Sequence, residues 1–157
     1  MNRILIRAVG GQPSGWPREA IQTYLERLRP FAQVEILEIE EGHGGASKPD
    51  PAKTKKIEGE RLLKNLPEHA TVIALDETGA KFDSPTFAKR LSDWTNGGQM
   101  VVFLVGGSWG LDPSVRERAN AVLSFGKATL PHALARIVLL EQLYRAEMIM
   151  SGKTYHK

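Results

Sequence analysis

Val101-Val-Phe-Leu-Val-Gly-Gly-Ser-Trp-Gly110 decides the reading of the fold. Five apolar residues, four of them β-branched or aromatic, run directly into a glycine cluster. An apolar run without alternation is the pattern of a strand covered on both faces. The glycines that follow mark a place where something must come close to backbone. A similar unit lies further on, Leu123-Ser-Phe-Gly-Lys-Ala-Thr-Leu-Pro-His132. Two strand ends followed by bare main chain predict one pocket built largely from backbone.

Working outward, strands are predicted at Arg3–Val9, Val34–Ile39, Thr71–Leu75, Met100–Val105 and Ala121–Ser124. Helices are predicted between them. The first runs from Trp16 to about Arg29, with Ala20, Tyr24 and Leu28 on one face, and Pro30 stops it. A charged helix covers about Ala52 to Asn65. Ser84-Pro85 and Asp112-Pro113 each read as an N-cap followed by proline at the first helical position. The last helix runs from Pro131 or His132 to about Met150, ending at Gly152. Glu40–Asp50, rich in Gly, Lys and Pro, reads as a mobile loop. Strands alternating with helices predict a single α/β domain over residues 1–157, with a mainly parallel sheet flanked by helices.

The composition is that of a globular protein: 41% hydrophobic, 25% charged, with a net charge of +3. No cysteine is present, which excludes disulfides and thiolate metal sites. The start, Met1-Asn-Arg-Ile-Leu-Ile-Arg, is too charged for a signal peptide. No apolar run approaches the roughly 18 residues of a membrane helix, so a cytoplasmic protein is expected. The run Lys48, Lys53, Lys55 and Lys56 reads as a solvated face, with an RNA-facing patch as the second reading. No His/Asp/Glu set has metal-ligand spacing, and His43 and His69 fall in predicted loops. Apolar residues on more than one side of the last helix predict burial on more than one side. In so small a chain a second subunit is the expected cover.

Two enzyme motifs fail on their context. Gly106-Gly-Ser-Trp-Gly110 has the spacing of the hydrolase nucleophile elbow. An elbow serine enters its helix at once, whereas here the helix start waits until Asp112-Pro113, and no acid is well placed downstream. The dinucleotide fingerprint G-x-G-x-x-G is missing after the first strand.

Taken together, Ile4–Gly10, Leu75-Asp76 with Gly79 and Lys81, Phe103–Leu111, Leu123–His132, Arg136, Glu141-Gln-Leu-Tyr-Arg-Ala146 and Tyr155-His-Lys157 span the chain. In this order and spacing they closely resemble the ribosomal large-subunit pseudouridine N3-methyltransferases, the minimal members of the SPOUT class. The resemblance implies a C-terminal trefoil knot holding S-adenosylmethionine. It places the cofactor on Leu75, Gly106 and the loop Phe125, Gly126, Lys127, Ala128, Thr129 and Leu130. It implies methylation of N3 of a pseudouridine in large-subunit ribosomal RNA, by a homodimer whose pockets are completed across the interface. The tail becomes the candidate for base handling: His156 as proton acceptor, Tyr155 to stack on or hydrogen-bond the base, Arg145 and Lys157 for negative charge. Arg136 is expected to contact RNA or the other subunit, and His132 to cap or pack. With no appended RNA-binding module, the assembled ribosome is the expected substrate. A SPOUT enzyme for another RNA and a non-catalytic ribosome-binding protein stand as the alternatives.

Overall fold

The computed structural model describes residues 1–157. Five strands, β1 (Asn2–Val9), β2 (Ala32–Ile39), β3 (Thr71–Lys81), β4 (Met100–Val105) and β5 (Ala121–Ser124), alternate with five helices. The helices are α1 (Trp16–Leu28), α2 (Pro51–Leu63), α3 (Ser84–Thr95), α4 (Pro113–Arg118) and α5 (His132–Met150). All strands pair in parallel, in the order β2-β1-β4-β3-β5. The expected α/β class and parallel sheet are what the chain forms.

The unbroken apolar run of β4 has a simple cause. Val101, Phe103 and Val105 enter one core with Ile4, Ile6 and Ile73, under helices α1, α3 and α5. Val102 and Leu104 enter a second core with Val72 and Ala74, under Leu62 of α2 and Val115 of α4. Successive side chains of a strand point to opposite faces, so a central strand with helices on both sides needs apolar residues at every position. Helix α5 lies between α1 and α3. Its inner apolar sector is therefore covered within the chain: Leu139, Leu140, Leu143 and Ala146 are fully buried. Leu134, Ile137 and Val138 stay half-buried along its outer side.

Three local findings differ from the sequence reading. Asp83, not Ser84, caps α3: its carboxylate accepts the Thr86 N–H at 2.8 Å, leaving proline at the second helical position. Strand β3 continues past Leu75. Leu75 and Ala80 both pair with Leu123, so residues 76–79 bulge out of the ladder. Gly79 makes this possible, since a Cβ there would lie 2.7 Å from the backbone of Val122 and Leu123. The Glu40–Asp50 loop is tied to α2 at its start, by contacts the sequence did not show. Arg61 donates to the carbonyls of Glu40 and Glu41, and the Gly42 N–H reaches Glu58.

One strand residue breaks the apolar pattern. Arg7 is buried beneath the end of α2 and donates to the carbonyls of Leu62, Lys64 and Asn65 at 3.0, 2.6 and 3.0 Å. Those of Leu62 and Lys64 are carbonyls that a helix leaves without partners at its C-terminus. Replacing Arg7 with leucine keeps the bulk but orphans them. R7L is expected to lower unfolding free energy by roughly 2–3 kcal/mol in urea denaturation.

Candidate functional site

The C-terminal ends of β3, β4 and β5 open into one cleft of about 840 Å³. That volume suits a nucleotide-sized ligand, and the C-terminal strand edge is where open α/β sheets bind them. Leu75, Gly106, Phe125, Gly126, Ala128, Thr129 and Leu130 all line it, joined by the bulge Asp76-Glu-Thr78, Ser108, Trp109 and His132. Lys127 is exposed and is not part of the lining. The bulge is held by Asp76, whose carboxylate accepts from the Thr78 backbone N–H at 3.0 Å and lies 3.6 Å from Arg116.

The floor is main chain because side chains do not fit. A Cβ on Gly106 would sit 3.0 Å from the Gly110 carbonyl and from Leu111. One on Gly107 would sit 2.9 Å from Val9 and 3.0 Å from the Glu58 carboxylate. Gly110 closes the turn at φ 83°, where its N–H donates to the Gly107 carbonyl. With apolar Leu75, Leu123 and Leu130 beside it, the floor joins apolar walls to main chain.

Behind the glycine loop lies a polar cluster that sequence reasoning missed. Glu58 is 3% exposed, and one of its carboxylate oxygens has no partner. Burial pushes its pKa up and Glu41 adds to this, against the Gly42 N–H, His132 and His43. His132 Nε2 lies 3.2 Å from Ser108 Oγ and 3.9 Å from Glu41 Oε1. His132 does not cap α5; Pro131 holds that position without a side-chain bond. Ser108, His132 and Glu41 do not make a hydrolytic triad, because the carboxylate approaches the same ring nitrogen as the serine. In a triad it holds the other one. Glu41, His43, Glu58 and His132 do not converge as a metal-ligand set.

The tail forms a separate cluster. A Schellman turn ends α5: Gly152, at φ 67°, donates to the Ile149 carbonyl and Lys153 to that of Met148. The turn folds the last residues back along the helix. The Tyr155 hydroxyl donates to Glu141 at 3.1 Å, its ring meets Tyr144 edge-on at 4.9 Å, and the Arg145 guanidinium lies over it at 4.7 Å. Arg145 also donates to Glu141 at 2.7 Å and reaches His156 Nδ1 at 3.4 Å. Burial and Glu141 push the Tyr155 phenol pKa up, and Glu141 holds Arg145 firmly charged. Arg145, Tyr155 and His156 are thus together, with Lys157 exposed beside them. They are not near the cleft: His132 and Arg145 lie about 20 Å apart along the helix axis.

Arg136 requires a correction as a substrate contact. It is 1% exposed, and its guanidinium donates to the carbonyls of Val9 and Gly10 at 3.3 and 3.0 Å. Its charge is spent holding the β1–α1 loop, with Glu38 at 3.8 Å. A buried arginine against backbone carbonyls carries no sequence signature that separates it from one facing RNA.

A parallel α/β sheet with a backbone-floored cleft at its strand ends has the architecture in which open α/β sheets bind ligands. Residues 2–156 match the family model described as "Predicted SPOUT methyltransferase". The ribosomal RNA large subunit methyltransferase H of Anaeromyxobacter sp. (strain Fw109-5) is 43% identical over 157 residues, covering 99% of each chain. That of Gluconacetobacter diazotrophicus is 45% identical over 150 residues, covering 96% of this chain and 94% of the relative. Among solved structures, a protein described as a "probable rRNA-methyltransferase" from Porphyromonas gingivalis superposes with a TM-score of 0.54 at 19% identity, covering 95% of this chain and 69% of that one. A "Probable Methyltransferase" from Bordetella pertussis gives 0.53 at 17% identity, covering 93% and 96%. At such identities these two speak for the fold alone. The chain belongs to the SPOUT methyltransferases, in the family of the ribosomal RNA large subunit methyltransferases H. No helix is long and apolar enough to cross a membrane.

The Glu58 carboxyl gives a pH test of the cleft's rear wall. A raised carboxylate pKa means that the folded state favours the proton, so the group's contribution is full below the ordinary glutamate range and is lost as pH rises past the folded value. Glu58→Gln removes that titration. Thermal melts should show E58Q above the parent at about pH 8, with the gap closing toward about pH 4.

Proposed function

We propose that this protein transfers a methyl group from S-adenosylmethionine to N3 of a pseudouridine in large-subunit ribosomal RNA, on the assembled ribosome and as a homodimer. The observation that carries the reading is the cleft itself. Seven of the eight residues that the family resemblance assigns to the cofactor converge there, on main chain, at three adjacent strand ends. The donor, when bound, supplies the sulfonium methyl group. Leu75, Leu123 and Leu130 are suited to hold its adenine between them, with peptide groups of Gly106 and the Phe125–Leu130 loop at the ring edge.

Displacement at the methyl carbon is in line, so most of the protein's work is to place the attacking nitrogen. Such positioning supplies up to roughly 7–11 kcal/mol of a barrier. The second task is the imide proton, which must be accepted while the developing negative charge is held. Tyr155, Arg145, His156 and Lys157 are groups of the right kind for a base and its phosphates, and they are pre-ordered on α5. Because they lie about 20 Å from their own cleft, the reading gives them to the cleft of a partner subunit. The half-buried row Leu134, Ile137 and Val138, on the cleft half of α5, is available for that contact.

The same reading includes a trefoil knot. The chain leaves β5 at the sheet edge beyond β3 and enters α5 between α1 and α3, an order compatible with residues 125–131 crossing the β3–α3 connection. The modest net charge of +3 also favours a target that supplies its own shape, as an assembled ribosome does.

Two measurements test this. Labelled methyl from S-adenosylmethionine should appear on one pseudouridine of ribosomal particles, located by mass spectrometry of digested RNA, and not on a short free stem-loop. Random mixing of Gly106→Val and His156→Ala subunits should restore about one quarter of the wild-type sites if tails act across a two-fold interface, and none if they act within their own subunit.

A further inference from the structure

The proposed reaction needs an acceptor for the N3 proton, and two histidines are in question. His156 is exposed, and its Nδ1 lies 3.4 Å from Arg145 Nη1. Arginine can only donate, so that contact takes up the Nδ1 lone pair and leaves the proton on Nε2. Binding to the base through this histidine then means donating to it.

His132 is arranged in the opposite way. Its side chain lines the cleft and is 31% exposed. Nε2 faces two oxygens, Ser108 Oγ at 3.2 Å and Glu41 Oε1 at 3.9 Å. Glu41 can only accept when ionised, and it is held in place on its other side. Its Oε2 takes the His43 Nε2–H at 2.5 Å, a tautomer fixed by the Gly45 N–H donating to His43 Nδ1 at 2.9 Å. A proton on His132 Nε2 is therefore favoured, which leaves Nδ1 with a lone pair. Nδ1 makes no hydrogen bond within the chain. A Cβ on Gly10 would lie 3.8 Å from Nδ1 and 3.9 Å from Cγ, so glycine there leaves that edge of the ring uncovered. The charged groups around this imidazole are Glu41 from the β2–α2 loop, Glu58 from α2 and Arg136 from the next turn of α5; His43 is the other titratable group nearby.

We propose that His132 accepts the N3 proton through Nδ1, with Ser108 and Glu41 as positioning residues on Nε2. This rests on the methyltransferase reading of the cleft. As N3–H breaks, its proton goes to Nδ1. The nitrogen electron pair forms the new N–C bond, and the C–S pair remains on sulfur as the neutral thioether leaves. The imidazolium formed lies beside Glu41, which stabilises it. Arg145, Tyr155 and His156 of the partner tail then hold the base rather than deprotonate it.

The first test is the tautomer in the protein without ligands. Long-range ¹H–¹⁵N spectra should show neutral His132 as the Nε2–H form, shifting toward a mixture in Glu41→Gln; an Nδ1–H form in the wild type overturns the proposal. The second is single-turnover methyl transfer to ribosomal particles. His132→Gln should be slower by about 10²- to 10⁴-fold and lose the acid limb of the rate–pH profile. Glu41→Gln, which leaves the helix untouched, should be slower by about tenfold, because it removes the carboxylate charge beside the developing imidazolium. Calorimetry of S-adenosylmethionine on the same proteins separates the two readings. If the wild type neither binds the donor nor transfers methyl, the cleft reading falls and this proposal with it. If His132→Gln binds, transfers at the wild-type rate and keeps the profile, only the proton assignment falls.

Discussion

At the end of β4, main chain packs on main chain, and the site is built on that contact. Gly106 lies against the Gly110 carbonyl and Leu111, and Gly107 against Val9 and the Glu58 carboxylate, with no space for a Cβ at either. This closeness brings the β4 loop, the β3 bulge and the β5–α5 loop around one volume. It also draws α2 and the Glu41–Gly42 turn in behind the loop, through the bond from Gly42 N–H to Glu58. A side chain at Gly106 or Gly107 would push against the loop after β4, β1 and α2.

Helix α5 carries the second constraint. Its first turn places His132 on the cleft, its second fixes Arg136 to the β1–α1 loop, and its last turns carry Tyr144, Arg145 and the folded-back tail. A rigid helix holds these groups at fixed separations. It orders the tail well and equally keeps it from its own cleft.

The fold was legible because its cause is local in sequence. An apolar residue at every position of Val101–Val105 has one economical explanation, a central strand covered on both faces. The cap Asp112 and the glycine at 152 mark helix ends by backbone chemistry that recurs everywhere. The backbone-lined cleft was legible for the same reason, from glycines after strands. Arg136 was misread because a guanidinium reads the same on paper whether it faces phosphate or buried carbonyls. The β3 bulge was missed because Gly79 is required by a strand more than forty residues away. Glu41, Glu58 and His132 come from three separate segments, and no spacing announces a cluster that only tertiary packing assembles. Glu40–Asp50 looked like a free loop because its anchors, Arg61 and Glu58, lie on the following helix.

The most direct test of the central claim is calorimetric titration of the purified protein with S-adenosylmethionine, alongside Phe125→Ala and Gly106→Val. Phe125 lines the cleft yet is exposed, so its removal should leave the fold intact. The account predicts micromolar binding by the wild type, about −8 kcal/mol, weakened about tenfold in F125A and abolished in G106V. Absence of binding by the wild type, or equal binding by all three proteins, would contradict it.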